Sequence, residues 1–332
     1  MENANAILER LGFGGKRLVA YGAGVSLLQM RAILPLEFEY AVDDTPGLAG
    51  TQVDGVPILP PSHLENEFRD DLLIIVLANL PASILAITDS LNARGFVWGE
   101  NYIDCSVLHF ETMAPRLSAM GITPNHALFS RVRLLSFYSA VRSMSYAAGS
   151  WLFAELIGNL PQTGAVAECG VYNGGNALTA LLSSAAATQR RYRLLDSFQG
   201  FPELSAADPS ARAKEFRDVN FARVRDLFRN FPNVEIHQGY FAATLPSLPE
   251  DRYSLVYMDC DLYEPTLELC EYFYPRVVPG GFLLWHDFWV PDEDRPHVRP
   301  FRGVNQAVCE FLGRGVDRLV VFPETTHALL RR

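Results

Sequence analysis

The stretch Val166–Gly175 has the sequence VAECGVYNGG, in which an apolar run ends in an acid and then in a glycine-rich turn that opens onto a helical pattern. Gly170 lets the backbone turn tightly beside a ligand, and Gly174 and Gly175 leave room for a close approach. The helix that follows offers free backbone N–H groups in its first turn. This order predicts a strand, loop and helix that bind a cofactor, although a glycine-rich turn alone is often only a tight turn.

Two acids indicate which cofactor this unit binds. Glu168 would repel a pyrophosphate but would pair well with the ammonium group of an amino acid. Further along, the segment Tyr192–Phe198 (YRLLDSF) brings a second apolar strand to Asp196. An acid in that position of an α/β nucleotide fold hydrogen-bonds ribose hydroxyls. The two segments together predict an S-adenosylmethionine site, which also includes Tyr172 and Ser197 from the same two loops.

Length, composition and charge limit the classes of protein that the sequence allows. A chain of 332 residues suits two domains, and 49% hydrophobic with 20% charged residues is ordinary globular composition. No apolar run is long enough to cross a bilayer, and the first residues lack a secretory signal pattern. A net charge of −10 disfavours a nucleic-acid partner. We therefore expect a cytoplasmic protein without membrane insertion.

The first module, residues 1–110, has the pattern of a small Rossmann-like α/β unit. An apolar strand runs into Gly22-Ala23-Gly24, and Asp43 and Asp44 follow a second apolar stretch. Leu27 stands where the third glycine of the dinucleotide fingerprint belongs, which weakens the packing expected over a pyrophosphate. The module resembles the degenerate Rossmann-like modules attached to sugar-modifying enzymes. Nucleotide binding and a role in scaffolding or docking both remain open for it.

The rest of the chain divides at about residue 160. Residues 111–160 are rich in helix formers with amphipathic spacing, and we expect them to pack against the catalytic sheet and to wall the cofactor pocket. Residues 161–332 form the expected catalytic domain. Within it the irregular polar stretch Trp289–Phe301 has the position of a lid or an acceptor loop, although its composition also suits a solvated surface.

A second group of acids follows two later strands. The segment Tyr253–Tyr263 (YSLVYMDCDLY) is a buried strand whose end carries Asp259 and Asp261 at alternate positions. The next apolar strand ends in His286 and Asp287. Because ligands of open α/β sheets gather at the carboxyl ends of the strands, we expect these side chains to converge on one crevice with the acids of the cofactor site.

These motifs resemble the macrocin O-methyltransferase family, class I enzymes that methylate sugar hydroxyls in macrolide-type antibiotics. The resemblance covers about residues 125–315 and rests on five motifs in the order that the family has them: Glu168–Tyr172, Asp196–Gly200, Gly239–Phe241, Asp259–Tyr263 and Pro279–Gly281. It implies a class I methyltransferase domain, a mostly parallel sheet flanked by helices, preceded here by the smaller Rossmann-like domain. The implied activity is methyl transfer from S-adenosylmethionine to a hydroxyl of a sugar or glycosylated small molecule.

The resemblance also implies roles for individual residues. Gly239, Tyr240 and Phe241 would border the adenine, although a buried aromatic pair is equally typical of a core. Enzymes of this type hold Mg²⁺ through the first acid of the Asp-x-Asp pair and two consecutive acids after the next strand. In this sequence the metal ligands would be Asp259, His286 and Asp287.

Asp261 would then be the base that takes the hydroxyl proton. The sequence departs from the family at His286, because imidazole favours transition metals over Mg²⁺. His286 is also a candidate general base or substrate ligand. A structural interpretation stays open as well, in which Asp261 caps the helix that begins near Tyr263 and His286 satisfies a core hydrogen bond.

Two other functions remain alternatives. One is an NAD-dependent or nucleotide-sugar enzyme that works through the first module, which would need a complete phosphate loop. The other is a non-catalytic protein that binds the cofactor or serves assembly. The sequence does not identify the acceptor, and it is compatible with a homo-oligomer.

Overall fold

The computed structural model describes residues 3–78, 81–138, 141, 146–161, 163–208, 216–288 and 301–332. The chain divides into two compact units, Met1–Thr123 and Pro124–Arg332. The first unit thus extends beyond residue 110 and includes the helix Cys105–Ala119. In the part of the chain that is described, no helix is both long and apolar enough to cross a membrane.

The first unit is a six-stranded sheet with helices around it. Its strands are β1 (Arg17–Tyr21), β2 (Phe38–Val42), β3 (Gln52–Val53), β4 (Val56–Leu59), β5 (Leu72–Val76) and β6 (Tyr102–Asp104). Its helices are α1 (Ala4–Arg10), α2 (Val25–Ile33), α3 (Pro81–Ala93) and α4 (Cys105–Ala119), with 3-10 helices at Pro61–Asn66 and Arg69–Asp71. The strand order is β3-β4-β2-β1-β5-β6, and every pair except β3 with β4 is parallel.

The glycine turn of the first unit is held by the acids that follow β2. Gly22 has φ +110°, and the next backbone N–H, that of Ala23, donates to Asp43 Oδ2 at 2.7 Å. The other oxygen of Asp43 accepts the backbone N–H of Thr45 at 2.8 Å, while the phenol of Tyr21 donates to Asp44. The predicted strand-turn-helix is therefore present, and nucleotide binding by it stays a prediction.

The second unit is a seven-stranded sheet flanked by helices. Its strands are β7 (Ala165–Cys169), β8 (Tyr192–Asp196), β9 (Val234–Gln238), β10 (Tyr253–Met258), β11 (Val277–Trp285), β12 (Val320–Phe322) and β13 (His327–Arg331). Its helices are α5 (His126–Tyr138), α6 (Ala147–Gly158), α7 (Gly175–Ser183), α8 (Ala185–Thr188), α9 (Phe221–Phe228), α10 (Phe241–Thr244), α11 (Tyr263–Phe273) and α12 (Arg302–Leu312). The 3-10 helices are Leu245–Ser247, Tyr274–Arg276, Gly313–Arg318 and Pro323–Thr325.

The strand order of the second unit is β12-β13-β11-β10-β7-β8-β9, in which β13 alone runs antiparallel to its neighbours. The predicted fold class, a mostly parallel sheet preceded by a smaller Rossmann-like unit, is confirmed. All residues of β7 and β10 are buried, since strands covered on both faces read as continuous apolar runs. The two strands are neighbours in the middle of the sheet, where Glu168 lies opposite Tyr257 and Asp259 follows two residues later.

Gly170 is the position at which this edge of the sheet is closest packed. It has φ +88°, and a Cβ built on it would lie 1.7 Å from the carbonyl oxygen of Asp259. The backbone N–H of Asp259 in turn donates to the carbonyl of Cys169 at 2.8 Å. The glycine loop after β7 and the acidic segment after β10 are therefore in direct backbone contact.

Candidate active site

Asp196 braces the glycine loop. Its Oδ2 accepts the backbone N–H groups of Val171 at 2.7 Å and Tyr172 at 2.8 Å, and its Oδ1 accepts that of Phe198 at 2.6 Å. Burial raises the pKa of this carboxyl, although the three N–H donors oppose the shift. The predicted ribose ligand is thus at the expected strand end. A carboxylate has about four acceptor positions, so a ribose hydroxyl can still be bound.

The other predicted cofactor residues shape the same loops. Tyr172 has φ +48° and its phenol donates to Asp218, while Gly174, with φ +82°, precedes Gly175 at the first position of α7. The hydroxyl of Ser197 donates to the carbonyl of Gly200 at 2.9 Å. The Ser197 hydroxyl therefore stabilises its own turn, and contact of Ser197 with the cofactor stays a prediction.

Glu168 is buried among acids. Its side chain is 1% exposed, and Oε2 accepts the phenol of Tyr192 at 3.0 Å. Burial raises the pKa of Glu168 to about 8, the hydrogen bond from Tyr192 opposes the shift, and the Asp259 and Asp196 carboxylates add to it. A cation beside this group would stabilise its ionised form.

Asn176 is a polar residue of this site that the sequence reasoning missed. It lies in the first turn of α7, directly after Gly175, and is 7% exposed. Neither atom of its amide has a hydrogen-bond partner among the described residues. Since an unsatisfied buried polar group costs about 1–3 kcal/mol, this amide marks a place where a polar ligand fits. The feature of the sequence that could have identified Asn176 is its position directly after the glycine pair.

The segment Gly239–Phe241 divides between rim and core. Gly239 has φ +143°, and its N–H donates to the carbonyl of Asp196, which joins this turn to the cofactor loop. Tyr240 is 40% exposed. Phe241 instead packs in the apolar core with Leu245. Of the two aromatic rings, only that of Tyr240 is available to a ligand.

The carboxyl ends of β10 and β11 bring three potential metal ligands together. His286 Nδ1 lies 2.8 Å from Asp259 Oδ1 and 3.2 Å from Asp287 Oδ2. Ligand atoms of all three residues lie within 4.8 Å of one another. Bonds of about 2.1 Å in an octahedral set place adjacent ligand atoms about 3 Å apart. The donor set and its spacing therefore fit a divalent cation, and they equally form a hydrogen-bonded histidine between two carboxylates.

The charges at this centre are strongly coupled. Burial works to lower the pKa of His286, but Asp259 and Asp287 outweigh it and raise the pKa well above its ordinary value. Burial works to raise the pKa of Asp287, but His286 outweighs it and brings the pKa to about 2. Burial raises the pKa of Asp261 well above its ordinary value, and Asp287 adds to the shift through its charge and a hydrogen bond. The hydrogen bond between Asp261 and Asp287 therefore moves the pKa values of the two carboxyls in opposite directions.

Asp261 does not cap the helix that follows it. Helix α11 begins at Tyr263, whose backbone N–H donates to Oδ1 of the buried Asp208 at 3.0 Å. Asp261 itself has φ +66°, and Leu262 N–H bonds back to the carbonyl of Cys260 at 2.8 Å. The capping interpretation of Asp261 is wrong, and its strained turn directs the carboxyl to Asp287 instead. Such backbone strain is concentrated at functional sites.

A buried hydrogen-bonded chain leads away from Asp259. The phenol oxygen of Tyr257 lies 3.2 Å from Asp259 Oδ2 and 3.1 Å from His327 Nε2. His327 Nδ1 lies 3.0 Å from the hydroxyl of Thr325. Burial lowers the pKa of His327 well below its ordinary value, and the charge of His286 adds to this shift. The local sequence does not predict this series of hydrogen bonds, because Tyr257 and His327 are 70 residues apart.

The predicted acceptor loop lies almost entirely outside the described residues, which omit 289–300. Phe301, where the described chain resumes, packs edge-to-face against Phe201 with ring centroids 6.2 Å apart. The predicted role of this loop therefore stays a prediction.

Three characterised relatives are similar to this chain. The 8-demethyl-8-(2,3-dimethoxy-alpha-L-rhamnosyl)-tetracenomycin-C 4'-O-methyltransferase of Streptomyces olivaceus is 32% identical over 46% of this chain and 64% of its own length. Mycinamicin III 3''-O-methyltransferase of Micromonospora griseorubida is 30% identical over 46% of the chain and 67% of its own length. Demethyldecarbamoylnovobiocin O-methyltransferase of Streptomyces niveus is 32% identical over 52% of the chain and 70% of its own length.

A family match lies within the second unit. A family model described as Macrocin-O-methyltransferase (TylF) matches residues 155–322, about the range that the sequence motifs indicated. The matched range holds the glycine loop, the bracing Asp196 and the centre formed by Asp259, His286 and Asp287. The chain therefore belongs to the macrocin-O-methyltransferase family of methyltransferases.

Proposed function

We propose that this chain transfers a methyl group from S-adenosylmethionine to a hydroxyl of a sugar or of a glycosylated small molecule. The observation that carries the proposal is a cluster of five acidic side chains at one edge of the second sheet. The acids there are Glu168, Asp196, Asp259, Asp261 and Asp287. A cofactor with a sulfonium and an ammonium group relieves the repulsion among them. The sugar-bearing substrate in the name of the tetracenomycin relative supports the acceptor class.

The residues around the glycine loop fit the parts of this cofactor. Glu168 supplies the carboxylate for the ammonium group, and the unpartnered amide of Asn176 supplies polar contacts beside it. Asp196 holds the loop and has acceptor capacity left for the ribose. The ring of Tyr240 at the rim is the candidate border for the adenine. Gly170 keeps this site in contact with the segment that carries Asp259.

Asp261 is the proposed base. In the reaction the acceptor oxygen attacks the methyl carbon in line, the carbon–sulfur bond breaks, and the hydroxyl proton passes to the Asp261 carboxylate. Its raised pKa makes Asp261 a stronger base than an ordinary carboxylate once it is ionised. The pair with Asp287, whose pKa is about 2, gives the arriving proton a hydrogen-bonded position.

Asp259, His286 and Asp287 are the proposed holders of a divalent cation. When bound there, such an ion would lower the pKa of a coordinated acceptor hydroxyl. Because one of the three ligands is an imidazole, the set favours a transition metal such as Mn²⁺ over Mg²⁺. The three side chains are otherwise positioned by their mutual hydrogen bonds.

The proposal predicts how binding of S-adenosylhomocysteine depends on pH. Glu168 has a pKa of about 8 in the free protein and must lose its proton to pair with the ammonium group. Affinity should therefore rise with pH, by up to about tenfold per unit between about pH 6 and 8, with release of a proton. Calorimetric titration in buffers of different ionisation enthalpy measures both quantities.

Two variants test whether Glu168 is the group responsible. Glu168→Gln should bind more weakly at pH 8 and lose the pH dependence. Glu155→Gln is the matched control, because Glu155 is a buried glutamate bonded to Trp151 within α6. It should keep the pH dependence of the parent protein. Failure of the parent protein to bind the ligand would overturn the proposed function, and an unchanged pH dependence in Glu168→Gln would overturn the assignment of Glu168.

A further inference from the structure

We propose that Tyr257 and His327 are positioning residues that fix the orientation of the Asp259 carboxylate. The inference rests on the proposed function, in which Asp259 is a ligand at the reacting centre. Both residues are buried, and the His327 ring also contacts that of His286, with centroids 4.7 Å apart. They act through the hydrogen bond from the Tyr257 phenol to Asp259 Oδ2.

A series of hydrogen-bond contacts joins Thr325 to Asp259. The Tyr257 phenol donates to Asp259 Oδ2, which is an acceptor. The phenol oxygen also lies 3.1 Å from His327 Nε2, and His327 Nδ1 lies 3.0 Å from the Thr325 hydroxyl. The series ends on the Asp259 carboxylate. Such second-layer hydrogen bonds fix the rotamer of a ligating side chain.

The two rings have little freedom to move. Tyr257 and His327 stack with centroids 5.6 Å apart, and the other face of Tyr257 packs on Phe153 of α6. Helix α6 also approaches through Gly149, where an added Cβ would lie 2.9 Å from Cε1 of His327. A glycine on α6 is therefore what makes room for the His327 ring. The backbone of α6 and the packed rings therefore hold Tyr257 and His327 in one geometry.

This arrangement decides which oxygen of Asp259 faces the reacting centre. With Oδ2 held by Tyr257, Oδ1 is the atom that lies 2.8 Å from His286 Nδ1. Without the phenol the carboxylate can rotate, and the spacing of the Asp259, His286 and Asp287 donor atoms is lost. Tyr257 therefore contributes to the metal site and to His286, although it is not itself a ligand.

The test compares two tyrosines of the same buried strand. Tyr257→Phe removes the phenol that bonds Asp259, whereas Tyr253→Phe removes a phenol that accepts from Arg193 Nη1 at 2.6 Å. Both changes delete one buried hydroxyl from β10. Histidine ¹H–¹⁵N correlation spectra of the ligand-free protein and Mn²⁺ binding in the absence of cofactor are the readouts. The spectrum of His286→Asn assigns the His286 signal.

Tyr257→Phe should shift the ring signals of both His286 and His327 and should weaken Mn²⁺ binding about tenfold or more. Tyr253→Phe should do neither. Thr325→Val, at the far end of the chain, should shift the His327 signal and have a smaller effect on Mn²⁺, and it replaces Tyr257→Phe if that variant does not fold. Equal results for Tyr257→Phe and Tyr253→Phe would overturn the inference.

The same experiment separates this inference from the proposed function. If the parent protein binds neither Mn²⁺ nor S-adenosylhomocysteine, the proposed function fails, while the histidine spectra still report whether Tyr257 orients Asp259. A shifted His286 signal would support the positioning role in that case too. An unshifted one would refute it, because the hydrogen-bonded chain would then not reach Asp259.

Discussion

In the first unit Asp43 accepts the backbone N–H of Ala23, and in the second unit Asp196 accepts those of Val171 and Tyr172. Both acids follow the second strand of a parallel sheet, and both hold the glycine turn that follows the first strand. The same bond thus occurs in the unit that the family model covers and in one that it does not. An acid at this place therefore does not distinguish one glycine turn from the other.

The units differ at the ends of their central strands. In the first unit β1 ends in Tyr21 and β5 in Val76, while in the second unit β7 carries Glu168 and β10 runs into Asp259. Acids repeated at neighbouring strand ends repel one another, so they raise the energy of the folded protein unless a ligand compensates them. The comparison teaches that accumulation of acids, more than the glycine turn, distinguishes the catalytic unit.

The largest expected effect comes from the two glycine turns. Gly170→Ala should lower the free energy of unfolding by about 4 kcal/mol or prevent folding, since its Cβ would meet a backbone oxygen at 1.7 Å. Gly22→Ala should cost only about 1–3 kcal/mol, because its φ is strained but its neighbours lie 3.6 Å away. Urea unfolding followed by tryptophan fluorescence and circular dichroism measures both. Equal losses would show that the two turns are under the same constraint.

The next largest expected effect is a difference in kcat between variants of two acids that precede helices. Asp261→Asn should lower kcat about 100-fold or more while S-adenosylhomocysteine still binds, because the base is lost. Asp104 is a true N-cap that accepts the backbone N–H of Ser106. Asp104→Asn should therefore leave kcat unchanged and change stability by less than about 1 kcal/mol. A methyl-transfer assay on a glycoside acceptor separates them, and normal turnover by Asp261→Asn would exclude it as the base.

The smallest expected effect concerns the two bracing acids themselves. Asp196→Asn should weaken S-adenosylhomocysteine binding about tenfold to a hundredfold, since an amide replaces a carboxylate that accepts three backbone N–H bonds. Asp43→Asn makes the equivalent change in the first unit and should leave that affinity within about twofold. Calorimetric titration of both variants checks this. A matching loss in Asp43→Asn would mean that the first unit takes part in cofactor binding.

The sequence was sufficient for the parts of the site that lie at strand ends. Glu168, Asp196 and Asp259 each follow an apolar run, and the rule that parallel strands present their carboxyl ends on one edge brings them together. The sequence did not reveal which side chains form hydrogen bonds across separate elements. Asp208 reaches Tyr263, and His327 reaches Tyr257, only because separate elements pack against each other. Asn176 was missed because its burial without a partner is a property of the folded chain.

The surplus of acids at the edge of the second sheet has a consequence for product release. In the proposed reaction the sulfonium loses its positive charge when the methyl group leaves, and the proton that compensates it stays on Asp261. The spent cofactor is then a neutral thioether among Glu168, Asp196 and Asp259, which attract it less than they attracted the donor. The same carboxylates that gather the methyl donor therefore favour exchange of the by-product for a fresh molecule after each turnover.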